Sequence, residues 1–475
     1  MLVQGSTGGG NGLDTEKENI MAIESVNPAT GRRLKVYEEM GPREVEGILE
    51  SVHGAFLQWR RTSLAERATP VRRAALVLRQ NAEHYARLMA QEMGKPIRDG
   101  RGEAEKCAWG CEYYAENAPR FLEPEMVQTS AQKSFISYQP LGVILAVMPW
   151  NFPFWQVFRF AAAAVMAGNA VVLKHASNVP GCALAIEDLF RQAGFPENLF
   201  RAVLVGGTHV EGVIANERIK AVTVTGSTAA GKAVARKAGE MLKKTVLELG
   251  GSDPYVILED ADLPKAVETC VRSRLINSGQ SCIAAKRFIV VATRRKEFEH
   301  LIVSRMKAAK MGDPLDESTE VGPQARWDLR RDLARQVQES VARGAVLLLG
   351  GEIPPGDGAF YPPTVLTEVK KGMPAYDEEL FGPVAAIIPA ADEGEAIQVA
   401  NDSSFGLGAA VFTQDRTRGE RIAVEELEAG SCFVNDFVRS DPRLPFGGIK
   451  ESGYGRELSS HGIREFVNIK TVVVS

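Results

Sequence analysis

The spacing of apolar residues changes period along this chain, and the changes divide it. Over residues 42–118 the spacing is helical: Val71, Ala74, Ala75 and Leu78 recur at three- and four-residue steps with Arg72, Arg73 and Arg79 around them, which predicts a helical layer. Over residues 142–174 the order becomes an apolar run (143–148), a break at Pro149-Trp150-Asn151-Phe152-Pro153, a helix, and a second apolar run (170–173). That is the strand–helix–strand signature of a parallel sheet. The alternation continues with a helix over 182–192, strands over 202–205 and 221–225, and a helix opened by Gly226-Ser227 and running through Lys237. A second series begins near Leu247, with a strand over 255–258, a helix over 264–276, a polar turn, a strand over 287–291, a helix to Met311 and similar units to Val434. A β-rich tail, 468–475, follows. Such a strand arriving after the core units leaves an apolar edge, which predicts use in an oligomer interface.

At 475 residues the chain exceeds one ordinary hydrophobic core, so at least two domains are expected. A net charge of −4 with 45% hydrophobic and 24% charged residues argues against nucleic acid as a partner. No stretch reaches the ~20 apolar residues of a membrane span; the most apolar helix is interrupted by Gln156 and Arg159. Six cysteines without a CxxC pair predict no metal site and no disulfide framework, and suggest a reducing, cytoplasmic setting. The glycine-rich segment 1–20 reads as a flexible tail, and Met21 is a possible alternative start.

Asn277-Ser278-Gly279-Gln280-Ser281-Cys282-Ile283 presents a cysteine in a small polar turn. A working thiol needs that setting, although an inert cysteine fits there too. Cys107, Cys111, Cys182 and Cys270 lie in helical segments and Cys432 in a short strand, where packing is the default. A strand ending in a glycine turn and a helix start, as at Gly226 and Ser227, is a place where α/β proteins hold phosphates. The dinucleotide fingerprint GxGxxG is nevertheless absent, since Gly226 and Gly231 supply only its outer glycines.

Four separated pieces, Pro149-Trp150-Asn151-Phe152-Pro153, Leu247-Glu248-Leu249-Gly250-Gly251, Gly279-Gln280-Ser281-Cys282 and Glu379-Leu380-Phe381-Gly382-Pro383, together resemble the aldehyde dehydrogenase superfamily over 23–474. Leu173-Lys174-His175-Ala176-Ser177-Asn178-Val179-Pro180 and Gly453-Tyr454-Gly455-Arg456-Glu457-Leu458 resemble its bacterial succinate-semialdehyde branch. The resemblance implies an α/β fold with two open parallel-sheet domains and a small β oligomerisation extension. Its expected division is a cofactor-binding domain over 21–125 and 149–248, a catalytic domain over 249–445, and an oligomerisation or bridging segment over 126–148 and 446–475. A homodimer or homotetramer is expected.

The resemblance also assigns roles. Cys282 becomes the nucleophile, because a thiolate adding to an aldehyde makes an alkoxide that can release hydride. Asn151, otherwise a helix cap, becomes an oxyanion donor with the Cys282 N–H. Glu248, otherwise a strand carboxylate facing solvent, becomes the base that activates water against the thioester. Met148, Pro149, Trp150, Lys174, Ser177, Gly206, Gly226, Ser227, Leu249, Glu379 and Phe381 are assigned to the cofactor. Ser177 stands where many NAD-using relatives carry a glutamate, so NADP is the expected cofactor, with NAD possible. Arg159, eight residues after Asn151, is either a carboxylate-binding cation or the partner of a structural acid; the resemblance favours the first and implies succinate semialdehyde as substrate. The alternatives are glutarate semialdehyde and a broad aliphatic aldehyde. A second arginine found six residues before the cysteine in some relatives is Ile276 here, and Arg439 or Ser440 is the expected substitute. A cysteine hydrolase would need a histidine, and none of His53, His84, His175, His209, His300 and His461 lies near Cys282 in sequence. A non-catalytic nucleotide-binding protein on the same fold is the remaining rival.

Overall fold

The apolar runs Val143–Met148, Ala170–His175 and Ile219–Thr225 lie side by side as parallel strands. The structure, a computed structural model, describes residues 22–475; the expected flexible tail, 1–20, and Met21 lie outside the described residues. The six-stranded sheet runs Gly453–Tyr454, Lys244–Glu248, Ile219–Thr225, Val143–Met148, Ala170–His175, Phe200–Ala202, parallel except for the first strand. Its central strands read as unbroken apolar runs because both faces are covered. One cover is the helix Trp155–Met166, buried along its whole length. Another is a helical layer of Pro42–Trp59, Leu64–Gln80, Ala82–Met93 and Ile97–Phe121, which shares a single core with the sheet.

The second sheet has seven strands in the order Val346–Leu349, Thr364–Thr367, Val384–Ala390, Arg287–Val291, Pro254–Ile257, Gly408–Phe412, Ser431–Val434, with only the first antiparallel to its neighbour. Separate apolar cores line its two faces. A three-stranded antiparallel sheet joins Val467–Val474 to Lys133–Pro140 and Glu125–Met126. A hairpin of Ala22–Val26 and Arg33–Glu38 begins the described chain.

Three expectations are corrected. Val143–Met148, placed with the bridging segment 126–148, is a central strand of the six-stranded sheet; its apolar run needs cover on both faces, which an extension cannot give. Part of 446–475 also belongs to that sheet, since Gly453 and Tyr454 pair antiparallel with Glu248 and Leu247. The strand expected over 202–205 is Phe200–Ala202, and Val203–Val205 lead into the turn that follows.

This topology gathers the site. Asn151 follows the carboxyl end of Val143–Met148, Lys174 and Ser177 lie at and after the end of Ala170–His175, Gly226 follows Ile219–Thr225, and Glu248 ends Lys244–Glu248. Ligands of open α/β sheets bind outside those ends.

Candidate active site

Cys282 lies just beyond a turn whose backbone is left-handed at three successive residues, Asn277 (φ 51°), Ser278 (φ 59°) and Gly279 (φ 78°). Such a conformation costs about 1–3 kcal/mol at each non-glycine residue unless neighbours enforce it. Here they do. The Asn277 N–H donates to Asp99 Oδ2 at 3.1 Å and the Gly322 N–H to Ser278 Oγ at 2.8 Å. The Ala325 N–H donates to Gln280 Oε1 at 2.8 Å, and Arg274 Nη2 to the Gly279 carbonyl at 2.7 Å. Gly279 is required sterically as well, because a Cβ there would stand 2.3 Å from the Gly382 carbonyl.

Of the six cysteines, none in a disulfide, Cys107, Cys111, Cys182 and Cys270 are buried, whereas Cys282 and Cys432 are partly accessible. Burial of the sulfur pushes the Cys282 thiol up to about 12, with Arg159 and Lys286 pulling it down and Glu379 and Asp253 adding to the rise. Lys286 is fully buried and donates to the carbonyls of Ser281 (2.9 Å) and Cys282 (2.8 Å), while its ammonium lies 3.4 Å from Glu379 Oε1. It therefore ties the cysteine turn to the Glu379 segment. Glu379 also accepts the Gly251 N–H at 3.1 Å.

Asn151 is buried, and its Nδ2 donates to the Gln280 carbonyl at 3.2 Å, leaving a second proton on that nitrogen. The Asn277 amide returns a bond to the Asn151 carbonyl at 2.8 Å. The N-terminal part of Ile97–Phe121 supports both loops. Glu103 Oε1 accepts the Phe154 and Trp155 N–H groups at 2.8 and 2.9 Å, and its Oε2 pairs with fully buried Lys95 at 2.6 Å. His175 completes the arrangement. Its Nε2 donates to the Pro153 carbonyl at 2.9 Å and its Nδ1 accepts the Ala176 N–H at 2.9 Å, one neutral tautomer serving both. Burial pushes its pKa down to about 4, which agrees with a neutral ring. Among the described residues no histidine bonds to Cys282, so the hydrolase pairing is not formed.

Glu248 is buried, and neither of its carboxylate oxygens has a hydrogen-bond partner among the described residues. Desolvation raises its pKa well above the usual carboxylate range; Arg159 opposes that and Glu457 adds to it. Gly447 admits it, since a Cβ at Gly447 would stand 2.6 Å from Glu248 Oε1. Arg159 is buried beside both functional groups, and its charge acts on Glu248 and on Cys282. Its guanidinium is not free, however: it pairs with buried Glu457 and packs over Phe446 at 4.7 Å. The partner acid that the sequence left open is present.

Most of the residues assigned to the cofactor lie at strand ends of the six-stranded sheet or in the loops that follow them. Met148 is buried at its strand end, Pro149 and Trp150 are partly accessible, and Trp150 meets Phe381 edge-on at 5.7 Å. Leu249 is buried against Gly231 of the helix Thr228–Glu240, which Ser227 caps by accepting the Ala230 N–H at 3.3 Å. Lys174 is partly buried, Ser177 exposed. Burial pushes the Lys174 ammonium down and Glu39 raises it. Glu39 is the unexpected member, because it accepts the Gly206 N–H and also His209 Nδ1 at 2.9 Å. The Gly206 amide is thus engaged by a carboxylate. A half-buried ammonium without a hydrogen-bonded partner next to an exposed hydroxyl fits a phosphorylated ribose, and Glu39 limits the fit on the Gly206 side.

Arg439 pairs with Asp436 at 2.7 Å and packs on Phe437, about half exposed, so it does not join the buried group. Ser440 does, and is buried. Lys286, Glu103, Asp99, Lys95, Glu39 and Glu457 had not been singled out in the sequence. A signal existed for Lys286, which with Arg287 interrupts the apolar run that follows the cysteine; the others carry none locally.

The sequence profile of the Aldehyde dehydrogenase family matches residues 15–472. A probable succinate-semialdehyde dehydrogenase [NADP(+)] of Synechocystis sp. is 49% identical over 455 residues, covering 96% of this chain and 100% of its own length. Succinate-semialdehyde dehydrogenase [NADP(+)] 1 of Mycobacterium tuberculosis is 48% identical over 458 residues with the same coverage. Among solved structures, succinic semialdehyde dehydrogenase from Streptococcus pyogenes in complex with NADP+ superposes with a TM-score of 0.93 at 38% identity, covering 95% of this chain and 100% of that one.

The Lys95–Glu103 pair can be tested by a double-mutant cycle. Removing one partner strands a buried charge, so Lys95→Met and Glu103→Leu are each expected to cost about 3–5 kcal/mol, and the double variant less than their sum. Denaturant unfolding measures this; additive costs would show that the two charges do not interact.

Proposed function

This chain belongs to the aldehyde dehydrogenase family, and on that premise we propose that it oxidises succinate semialdehyde to succinate with reduction of NADP+. The observation that carries the reading is the unpartnered carboxylate of Glu248, held in the same buried group as the Cys282 thiol and Arg159. An enzyme that handed its acyl group to a thiol cofactor would not need a base there.

Cys282 gives its proton to solvent water before attack, with Arg159 and Lys286 as the cations that favour the thiolate. The thiolate adds to the aldehyde carbon, and the resulting alkoxide accepts the free Asn151 amide proton and the Cys282 N–H. NADP+, when bound, supplies the hydride acceptor. Loss of hydride leaves a thioester on Cys282. Water then attacks its carbonyl, Glu248 takes the water's proton, collapse releases the carboxylic acid and the Cys282 thiolate, and Glu248 passes its proton to the sulfur or to solvent. Lys174 and Ser177 bind the 2′-phosphate, with Trp150, Leu249, Glu379 and Phe381 along the dinucleotide. Arg159 pairs with Glu457 through Nε, which leaves its terminal guanidinium N–H groups as the cationic end of the pocket.

An oligomer, a homodimer or homotetramer, is supported by the strand Val467–Val474. It is an edge of its sheet and exposes Ile469, Val473 and Val474 at 62%, 57% and 44%. Six cysteines outside any disulfide support a cytoplasmic setting.

Four outcomes are expected. Glu248→Ala should keep the first turnover of NADPH formation but lose about 100-fold or more in the steady state, as followed by stopped-flow absorbance; unchanged steady-state turnover contradicts the base. Because the pKa of Glu248 is raised and its ionised form is required, parent turnover should fall as pH drops through that raised value. Ser177→Glu should weaken NADP+ binding at least about tenfold by charge repulsion and spare NAD+, as read from quenching of tryptophan fluorescence; equal loss of both would refute the 2′-phosphate contact. Ile469→Lys should shift the protein toward smaller species in light scattering, and an unaltered mass would place the interface elsewhere.

A further inference from the structure

Lys106 is a second cation in the same interior region, and nothing in the reading so far uses it. It follows Glu103 by three residues on the helix Ile97–Phe121, which places both on one side of that helix. Its ammonium stands 4.6 Å over the Trp155 ring and donates to Ser440 Oγ at 2.8 Å. Among the described residues no carboxylate lies within ion-pair distance of it. The acids that face it are committed elsewhere: Glu103, on its own helix, pairs with Lys95, and Asp441, on the loop after Ser440, pairs with Arg443 at 2.6 Å. Its remaining neighbours are the Cys107 thiol and Arg159, whose guanidinium repels it from the adjacent helix.

Ser440 shows what such an arrangement lacks. Its Oγ accepts from Lys106 and also from Trp155 Nε1 at 3.2 Å, so both lone pairs are used. The hydroxyl proton is then left to donate, and Ser440 is buried. A buried hydroxyl obliged to donate, an ammonium without a counter-ion and a guanidinium nearby together define a place for an anion. The position that would carry a second arginine in some relatives is Ile276, and Arg439 is occupied by Asp436.

We propose that Lys106, acting with Ser440, is the second positively charged contact of the substrate site, and that together with Arg159 it holds the distal carboxylate of a short aldehyde acid. This rests on the reading of the chain as a semialdehyde dehydrogenase. The ammonium supplies charge and the Ser440 hydroxyl the directed bond, while Trp155 fixes both groups by its ring face and its N–H.

Burial, with Arg159 second, pushes the Lys106 ammonium down to about 8, while Cys107, Glu103 and Asp441 draw it up. In the free enzyme its charge is therefore present below about pH 8 and is lost above it. A bound carboxylate favours the charged form, so carboxylate affinity should weaken on the alkaline side.

Parent enzyme, Lys106→Met and Lys106→Arg are compared with succinate semialdehyde and with butanal, which has the same chain length and no charge. Lys106→Met is expected to raise KM for succinate semialdehyde about ten- to hundredfold, with butanal changed less than about twofold; Lys106→Arg should restore most of the loss. In the parent, KM for succinate semialdehyde should rise as pH passes about 8; this limb should vanish in Lys106→Met and move upward in Lys106→Arg. Equal KM changes for both aldehydes, or an alkaline limb that persists without Lys106, would overturn the proposal. Should Lys106→Met not fold, a flat parent KM profile across pH 7–9, or Lys106→Arg leaving that profile unmoved, overturns it equally. A parent enzyme that does not prefer succinate semialdehyde to butanal at neutral pH refutes the underlying substrate reading instead, and the inference falls with it.

Discussion

The chain must turn left-handed at three successive residues without solvent to support it, and the site is built around that constraint. Asn277, Ser278 and Gly279 hold a conformation that an isolated loop would abandon. Fixing it takes Asp99 from the helical layer, Asn151 from the loop after the central strand, the segment Gly322–Ala325, and the close passage of Gly382. Both domains therefore contribute to placing one sulfur atom. The same bonds align the Asn151 amide with the turn, so that amide and the cysteine segment are set by one network.

Charge is distributed inside this network by partner rather than by residue type. Three buried glutamates show it. Glu457 takes the Arg159 guanidinium and Glu103 takes Lys95, whereas Glu248 has no hydrogen-bond partner on either oxygen. Desolvation raises the pKa of Glu457 as well as that of Glu248, with Arg159 opposing the rise at both, but only Glu457 forms the ion pair with that guanidinium. Lys286 acts similarly near the sulfur, where it binds two turn carbonyls and Glu379, so its charge favours the thiolate without offering a competing nucleophile.

Much of the architecture was legible because period and cover are linked. Val143–Met148 and Ala170–Leu173 read as unbroken apolar runs since each is buried on both faces, and Trp155–Met166 is buried all round, Gln156 and Arg159 included, since it lies between the sheet and the helical layer. The bridging segment was misdivided for a related reason: local pattern identifies a strand but not the sheet it joins. Gly453–Tyr454, two residues long, offers no period at all and is placed by its pairing with Leu247 and Glu248.

The sequence by itself determined which groups are candidates for the chemistry. Cys282 in a polar turn, Glu248 in an apolar strand, Asn151 after a proline and Ser177 after Lys174 are choices of residue type at short spacing, and short spacing survives without coordinates. Only the tertiary structure decided which of these groups are free. Arg159 is tied to Glu457, the Gly206 amide to Glu39 and Ser440 to Lys106, while Glu248 is left unpartnered. Those facts depend on side chains brought together from distant segments, and a buried charge is set by whatever lies within a few ångströms of it, which no local pattern records.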